Sequence, residues 1–272
     1  MPQQGRVLAI VALSGFAIAA PSAQAGAWTQ KPGGGYQKLA FNYFTSDESF
    51  GTPAPGFEQF DDLNLNYYGE FGVLEGLTLF TSAVGKSLES RSGGETFSTT
   101  GIGDLDLGLR YNLVNADYQL STSLLFKAPY FYGENDEVPL GNGQEDFESR
   151  LLFGKGFGPW GYIGIELGYR FRLGAPADEF RYLLEYGFKV LESGYLRAKL
   201  DGIQGIGNGR SVGDSTSGNP LLNLEFNIGK LETTAGWWIT PKFAAEFTAT
   251  NNLYGENTLK GVNYMFAVVY AY

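Results

Sequence analysis

The chain has 272 residues, a formal net charge of −10, no cysteine and no histidine. That inventory excludes a disulfide framework, zinc or haem ligation of the usual kind, and thiol or imidazole chemistry. The acid excess argues against a nucleic-acid partner, because nothing in bulk would neutralise phosphates.

At the N-terminus Arg6 supplies a positive charge, residues 7–20 form an apolar core, and Ala23-Gln24-Ala25 is a small-x-small cleavage site. Residues 1–25 therefore read as a secretory signal peptide, and residues 26–272 as an exported domain starting at Gly26. The apolar run is shorter than the about 20 residues a membrane-spanning helix needs, and no later stretch is longer.

Two-residue alternation dominates the rest of the chain. Leu63, Leu65 and Tyr67 open it; Leu105, Leu107, Leu109 and Tyr111 alternate with Asp104, Asp106, Gly108 and Arg110. Ile163, Ile165, Leu167, Tyr169 and Phe171 alternate with Gly164, Glu166, Gly168, Arg170 and Arg172, and Phe180 to Phe188 repeat the pattern against Arg181, Glu185 and Lys189. The same period runs through Leu196/Ala198/Leu200 and Leu222/Leu224/Phe226/Ile228. Successive strand side chains point to opposite faces, so each strand has one greasy and one polar face. A soluble sandwich would bury the greasy face, whereas a membrane barrel would turn it to lipid.

The connections favour the barrel. Short ones at Leu74-Glu75-Gly76, Asn115-Ala116-Asp117, Gly158-Pro159-Trp160, Glu192-Ser193-Gly194 and Thr240-Pro241-Lys242 alternate with long ones at 46–59, 89–99, 133–145, 174–179, 205–218 and 251–260. Short periplasmic turns and longer extracellular loops are the outer-membrane pattern. Five short and six long connections predict twelve strands with both termini in the periplasm. The last strand carries Tyr264, Phe266, Val268 and Tyr270 and ends in Tyr272, which resembles the assembly signal of bacterial outer-membrane proteins. Trp28, Tyr36, Trp160, Tyr162, Tyr182, Trp237, Trp238 and Tyr254 fall near strand ends, as interfacial girdles do. The expected fold is an all-β, transmembrane antiparallel barrel of about 12 strands in the outer membrane of a Gram-negative bacterium. Its partners would be the lipid bilayer, the outer-membrane assembly machinery and a small-molecule solute.

The segment Gly101-Ile102-Gly103-Asp104-Leu105-Asp106-Leu107-Gly108-Leu109-Arg110-Tyr111 resembles the signature strand of the outer-membrane barrel family named for the meta-pathway of phenol degradation. Pro139-Leu140-Gly141-Asn142-Gly143-Gln144-Glu145-Asp146 is similar to that family's loop, and Gly168-Tyr169-Arg170-Phe171 to its following strand. The family's Lys-x-Pro is often followed by a small residue and Gly, whereas here Lys127-Ala128-Pro129 continues into Tyr130-Phe131. The resemblance implies passage of small molecules, aromatic ones among the candidates.

Other chemistry fits poorly. Membrane-embedded hydrolases and acyltransferases lean on a histidine, which is absent. Asp104 and Asp106 lie about 7 Å apart on one strand face, but no sugar cleft accompanies them. Gly85-Lys86-Ser87 lacks the first glycine of a phosphate loop, since Phe80 stands in its place, and Gly207-Asn208-Gly209 has no helix after it, so no cofactor is expected. Glu134-Asn135-Asp136-Glu137 and Asp47-Glu48 are acidic but lack a calcium loop's ligand spacing, and no metal site is assigned.

The lumen is where function should lie. Arg110, Lys127, Arg150, Arg170, Arg172, Arg181, Lys189, Arg197 and Lys199 fall opposite the greasy faces, as do Asp104, Asp106, Glu148, Glu166, Glu185, Asp201 and Glu225. Arg170, Arg172 and Arg181 should form a basic patch facing Asp104 and Asp106, a transverse field suited to orienting a permeating solute, anions included; Lys127, Arg150 and Glu148 would complete the path. Alternatively, these charges pair and fill a structural or adhesive barrel.

Overall fold

A computed structural model describes residues 26–51, 55–133, 136–174, 176–209 and 224–272. The expected signal peptide, Leu222, Glu134, Asn135 and much of the 205–218 loop lie outside them. Among the described residues, twelve antiparallel strands make the wall: β1 Gly35–Phe50, β2 Phe57–Leu74, β3 Leu77–Ser92, β4 Glu95–Asn115, β5 Gln119–Ala128, β6 Asp146–Gly156, β7 Tyr162–Arg172, β8 Glu179–Lys189, β9 Gly194–Gly205, β10 Asn227–Trp238, β11 Phe243–Glu256 and β12 Thr258–Ala271. Each pairs with its chain neighbours, and β12 returns to β1 to close the barrel. Closure satisfies backbone groups that lipid cannot hydrogen-bond.

The alternation sorts side chains as expected. Along β1, Leu39, Phe41 and Tyr43 are exposed to the outside while Ala40 is buried inside; along β7, buried inward residues take every second position. Cross-strand partners line up on the lipid face, as with the Phe126 and Phe147 rings 5.1 Å apart and Phe243 over Tyr270 at 4.7 Å. The seam sets Leu39, Phe41 and Tyr43 opposite Val268, Phe266 and Tyr264. Tyr272 closes it through reciprocal backbone bonds with Gly35, each 3.0 Å.

Three expectations need correction. The stretches 89–99 and 251–260 are not long loops but tall hairpins. Gly93 and Gly94, both at positive φ, make a two-residue turn, and Asn257 at φ 52° makes the other. Strands of 16, 21, 14 and 14 residues exceed the about 9–11 a bilayer crossing requires, so β3, β4, β11 and β12 continue above the membrane, where their outer face meets water instead of lipid. Their polarity there mimics a loop.

Leu224 and Phe226 precede β10 rather than belonging to it, and Glu225 bonds the Gly207 N–H within the same loop. The predicted girdle is also only half real. Trp160, Trp237 and Tyr254 are exposed on the outside, but Tyr162 and Trp238 are buried, and Trp28 packs edge-on against Tyr162 at 5.6 Å. Tyr36, by parity with Lys38 and Ala40, lines the cavity. Nearness to a strand end does not set the face; parity does.

This topology predicts that Glu95→Cys and Glu137→Cys label with a membrane-impermeant maleimide on intact cells while Glu75→Cys labels only after lysis. The reverse pattern would invert the barrel.

Candidate functional site

The inward faces hold a cavity of about 770 Å³, and chain from outside the barrel wall enters it from below and packs inward above it. Residues 26–30, preceding β1, run inside the lower barrel. The Ala27 carbonyl accepts from the Ser121 hydroxyl at 2.6 Å and the Trp28 carbonyl from Arg110 Nη1 at 3.1 Å. Gln30 donates its backbone N–H to Thr78 Oγ1 at 2.8 Å and its side-chain amide to Glu70 at 2.6 Å. Trp28 lies over Gly154, where a Cβ would fall 2.5 Å from its ring, so the wall is hollowed to admit the indole.

The upper closure is the connection between β5 and β6. Its Val138 and Leu140 are buried against Phe60, Leu88 and Leu259, with Phe44, Phe57, Phe97 and Tyr132 around them. Burial of each such side chain contributes on the order of 1.5–3 kcal/mol. Lys86 donates to the Leu140 carbonyl at 3.2 Å, and Thr99 Oγ1 accepts the Val138 N–H at 3.1 Å. The Tyr132 hydroxyl donates to Asp104 at 2.6 Å and accepts from Gly143 N–H at 3.0 Å; burial first, then the Asp104 bond, raises its pKa. Nearby, Asp178 ties two outer connections together. Burial pushes its pKa up, but the Arg172 N–H, the Tyr169 hydroxyl and the Asn208 amide outweigh that and hold it low.

The predicted permeation residues lie on the neighbouring strands β4 to β8; of the eight, Glu148 and Arg150 line the cavity, and all but Asp106 are joined in a ladder of ion pairs. Lys127 sits 2.9 Å from Asp146 and 3.6 Å from Asp104. Arg170 spans Asp146 at 3.5 Å and Glu148 at 2.7 Å, and Arg181 spans Glu148 at 3.5 Å and Glu179 at 2.8 Å. Arg172 pairs with Glu179, and Arg150 with Glu148 and, at 2.8 Å, Glu166. The expected division into a basic wall and an acidic wall is therefore not what forms, because carboxylates interleave with the arginines rung by rung. Asp106 belongs to the same neighbourhood but has one buried oxygen without a hydrogen-bond partner.

The carboxylates that do this were partly missed. Asp146 and Glu179 are the first residues of β6 and β8, where sequence polarity blends into loop; both are almost wholly buried, at 0% and 1% exposure. Glu70 and Glu246 sit at in-facing parity, and extending the alternation along β2 and β11 would have found them. Glu70 holds Arg110 at 3.0 Å; Glu246 holds Lys38 at 2.7 Å, Arg197 at 3.5 Å and the Tyr195 hydroxyl at 2.7 Å. Lys199–Glu232 and Lys230–Asp201 extend the ladder at 2.9 and 3.2 Å. Lys189 lies exposed at the lower end of β8. Of the acidic stretches, Glu48 pairs with Lys260 at 2.6 Å, and no cluster of metal-ligating side chains occurs among the described residues.

No protein-family profile matches the sequence, and no curated protein does. Among solved structures, an outer membrane channel from Pseudomonas putida F1 superposes with a TM-score of 0.72 at 17% identity, over 92% of this chain and 99% of that one. The NanC porin superposes at 0.56 with 8% identity, over 86% of this chain and 98% of the other. These likenesses establish the fold, a closed twelve-stranded antiparallel barrel matching outer-membrane barrels.

Lys127 offers a stability test. Lys127→Met removes the nearest cation to the fully buried Asp146, and breaking a buried pair from one side costs about 3 kcal/mol or more. Denaturant unfolding in detergent should show that loss, and Lys127→Met with Asp146→Asn should recover most of it.

Proposed function

We propose that the protein is a channel of the Gram-negative outer membrane, exported with a cleaved signal peptide, that takes up small organic solutes passively. The observation that carries this reading is the polar chamber of about 770 Å³ enclosed by a membrane barrel, a volume within the usual range for small-molecule sites. The resemblance to the phenol-degradation family supports aromatic molecules as the first solutes to try. In this reading Arg170, Arg172, Arg181, Lys127, Arg150, Asp104, Asp106 and Glu148 form the polar track a solute passes, and the aromatic β12 is the segment the assembly machinery engages.

A second reading is a structural or adhesive barrel with a plugged lumen. It is favoured by the pairing of the lumen arginines and by the two closures. Planar-bilayer recording separates them. A channel predicts small unitary steps that grow several-fold when residues 26–30 are deleted; silence from both forms, correctly folded by heat-modifiable mobility, would favour the plugged barrel.

Selectivity follows from the ladder. Converting Arg170, Arg172 and Arg181 together to glutamine strips Glu148 and Glu179 of most of their cations and leaves a negative lumen wall. Reversal potential in asymmetric salt should move toward cations. An unchanged potential would mean that these residues do not line the conducting path.

A further inference from the structure

We infer that Glu166 is the docking site for the protein's own α-ammonium group, created when the signal peptide is removed before Gly26. The inference rests on the processing assigned above from Ala23-Gln24-Ala25.

Gly26 lies inside the barrel, among the residues lining the chamber. A Cβ built on it would stand 2.6 Å from Glu166 Oε1 and 2.9 Å from the end of the Leu152 side chain, so the backbone of Gly26 sits directly against that carboxylate. Standard backbone dimensions then put the Gly26 nitrogen no more than about 5 Å from that carboxylate oxygen. In the precursor this nitrogen is a neutral peptide N–H; after cleavage it is an ammonium whose ordinary pKa is about 8.

Glu166 is the carboxylate with room for it. Glu148, on the neighbouring strand, draws on Arg150, Arg170 and Arg181, whereas among the described residues Glu166 has one salt bridge, to Arg150, which it shares with Glu148. Glu166 is buried, and its cationic neighbours, Arg150 and the more distant Arg110, are each also committed to another carboxylate, Glu148 and Glu70. An ammonium a few ångströms away adds a positive charge that no other carboxylate claims. The rest of the segment is already anchored to Ser121, Arg110, Thr78 and Glu70, so the ammonium is delivered by a held chain rather than a free one. A chain that continues before Gly26 would lack that charge, because the same nitrogen is then a neutral amide. Processing and closure of the lower lumen are thereby coupled: only the cut chain carries the group that seats it.

The test uses the barrel purified from outer membranes. Intact-mass measurement reads where the mature chain starts. An α-amine-selective aldehyde, 2-pyridinecarboxaldehyde, then reports access to the terminal amine. With a start at Gly26, the wild-type amine should label at least tenfold more slowly than that of Glu166→Gln, with Glu166→Asp between them, all three keeping heat-modifiable mobility. If Glu166→Gln fails to fold, a chain beginning one glycine earlier serves instead. It shifts the amine by about one residue spacing of 3.8 Å and should label tenfold faster than wild type. Equal labelling of wild type and Glu166→Gln, fast or slow, would overturn the docking, because steric shielding alone does not depend on the carboxylate. A different mature start would overturn the processing reading separately, and the same labelling on a barrel refolded from a chain starting at Gly26 would still decide the docking.

Discussion

Everything in this structure depends on the inability of lipid to hydrogen-bond a backbone. A sheet placed in that solvent must close, and closing twelve strands fixes which face of every strand meets hydrocarbon. The outward residues, which in a soluble protein would be buried, are the greasy ones, and the interior keeps two small apolar clusters, around Leu140 and Trp238, beside its charges, amides and tyrosines.

Those interior charges can persist in a narrow lumen only in company. Asp146, Glu148 and Glu179 are buried carboxylates, and each meets an arginine or lysine from a neighbouring strand. Because adjacent strands run antiparallel and inward positions recur every second residue, charges at similar height on β5 to β8 come within reach of one another across the sheet. The ladder is thus a consequence of register. It ties neighbouring strands together through interleaved charges of both signs.

The two closures solve a different problem. A twelve-stranded lumen is wide enough to leave space, and the chain fills its ends with material from outside the sheet. Below, a short polar-bonded segment with one tryptophan enters; above, an apolar connection folds inward onto Phe60, Leu88 and Leu259. The lower closure is held by hydrogen bonds and charge and the upper by apolar burial, so pH and salt act on the first far more than on the second.

The amino-acid sequence by itself determined the barrel, the strand number, the lipid-facing set and the identity of most lumen charges, because parity on a strand is a local property that needs no knowledge of partners. It misjudged the heights of the β3–β4 and β11–β12 hairpins, since a strand whose outer face meets water rather than lipid loses the contrast that marks it. It placed Arg170, Arg172 and Arg181 inside but not their pairing with Glu148 and Glu179, and it left Trp28, Tyr162 and Trp238 on the wrong surface. Only the tertiary structure decided which charges meet, that residues 26–30 enter the lumen, and that Val138 and Leu140 cap it. Those contacts join positions as far apart as Ala27 and Ser121 or Leu140 and Lys86, and they depend on register, curvature and the space left by glycines such as Gly154, none of which is written in any local stretch of chain.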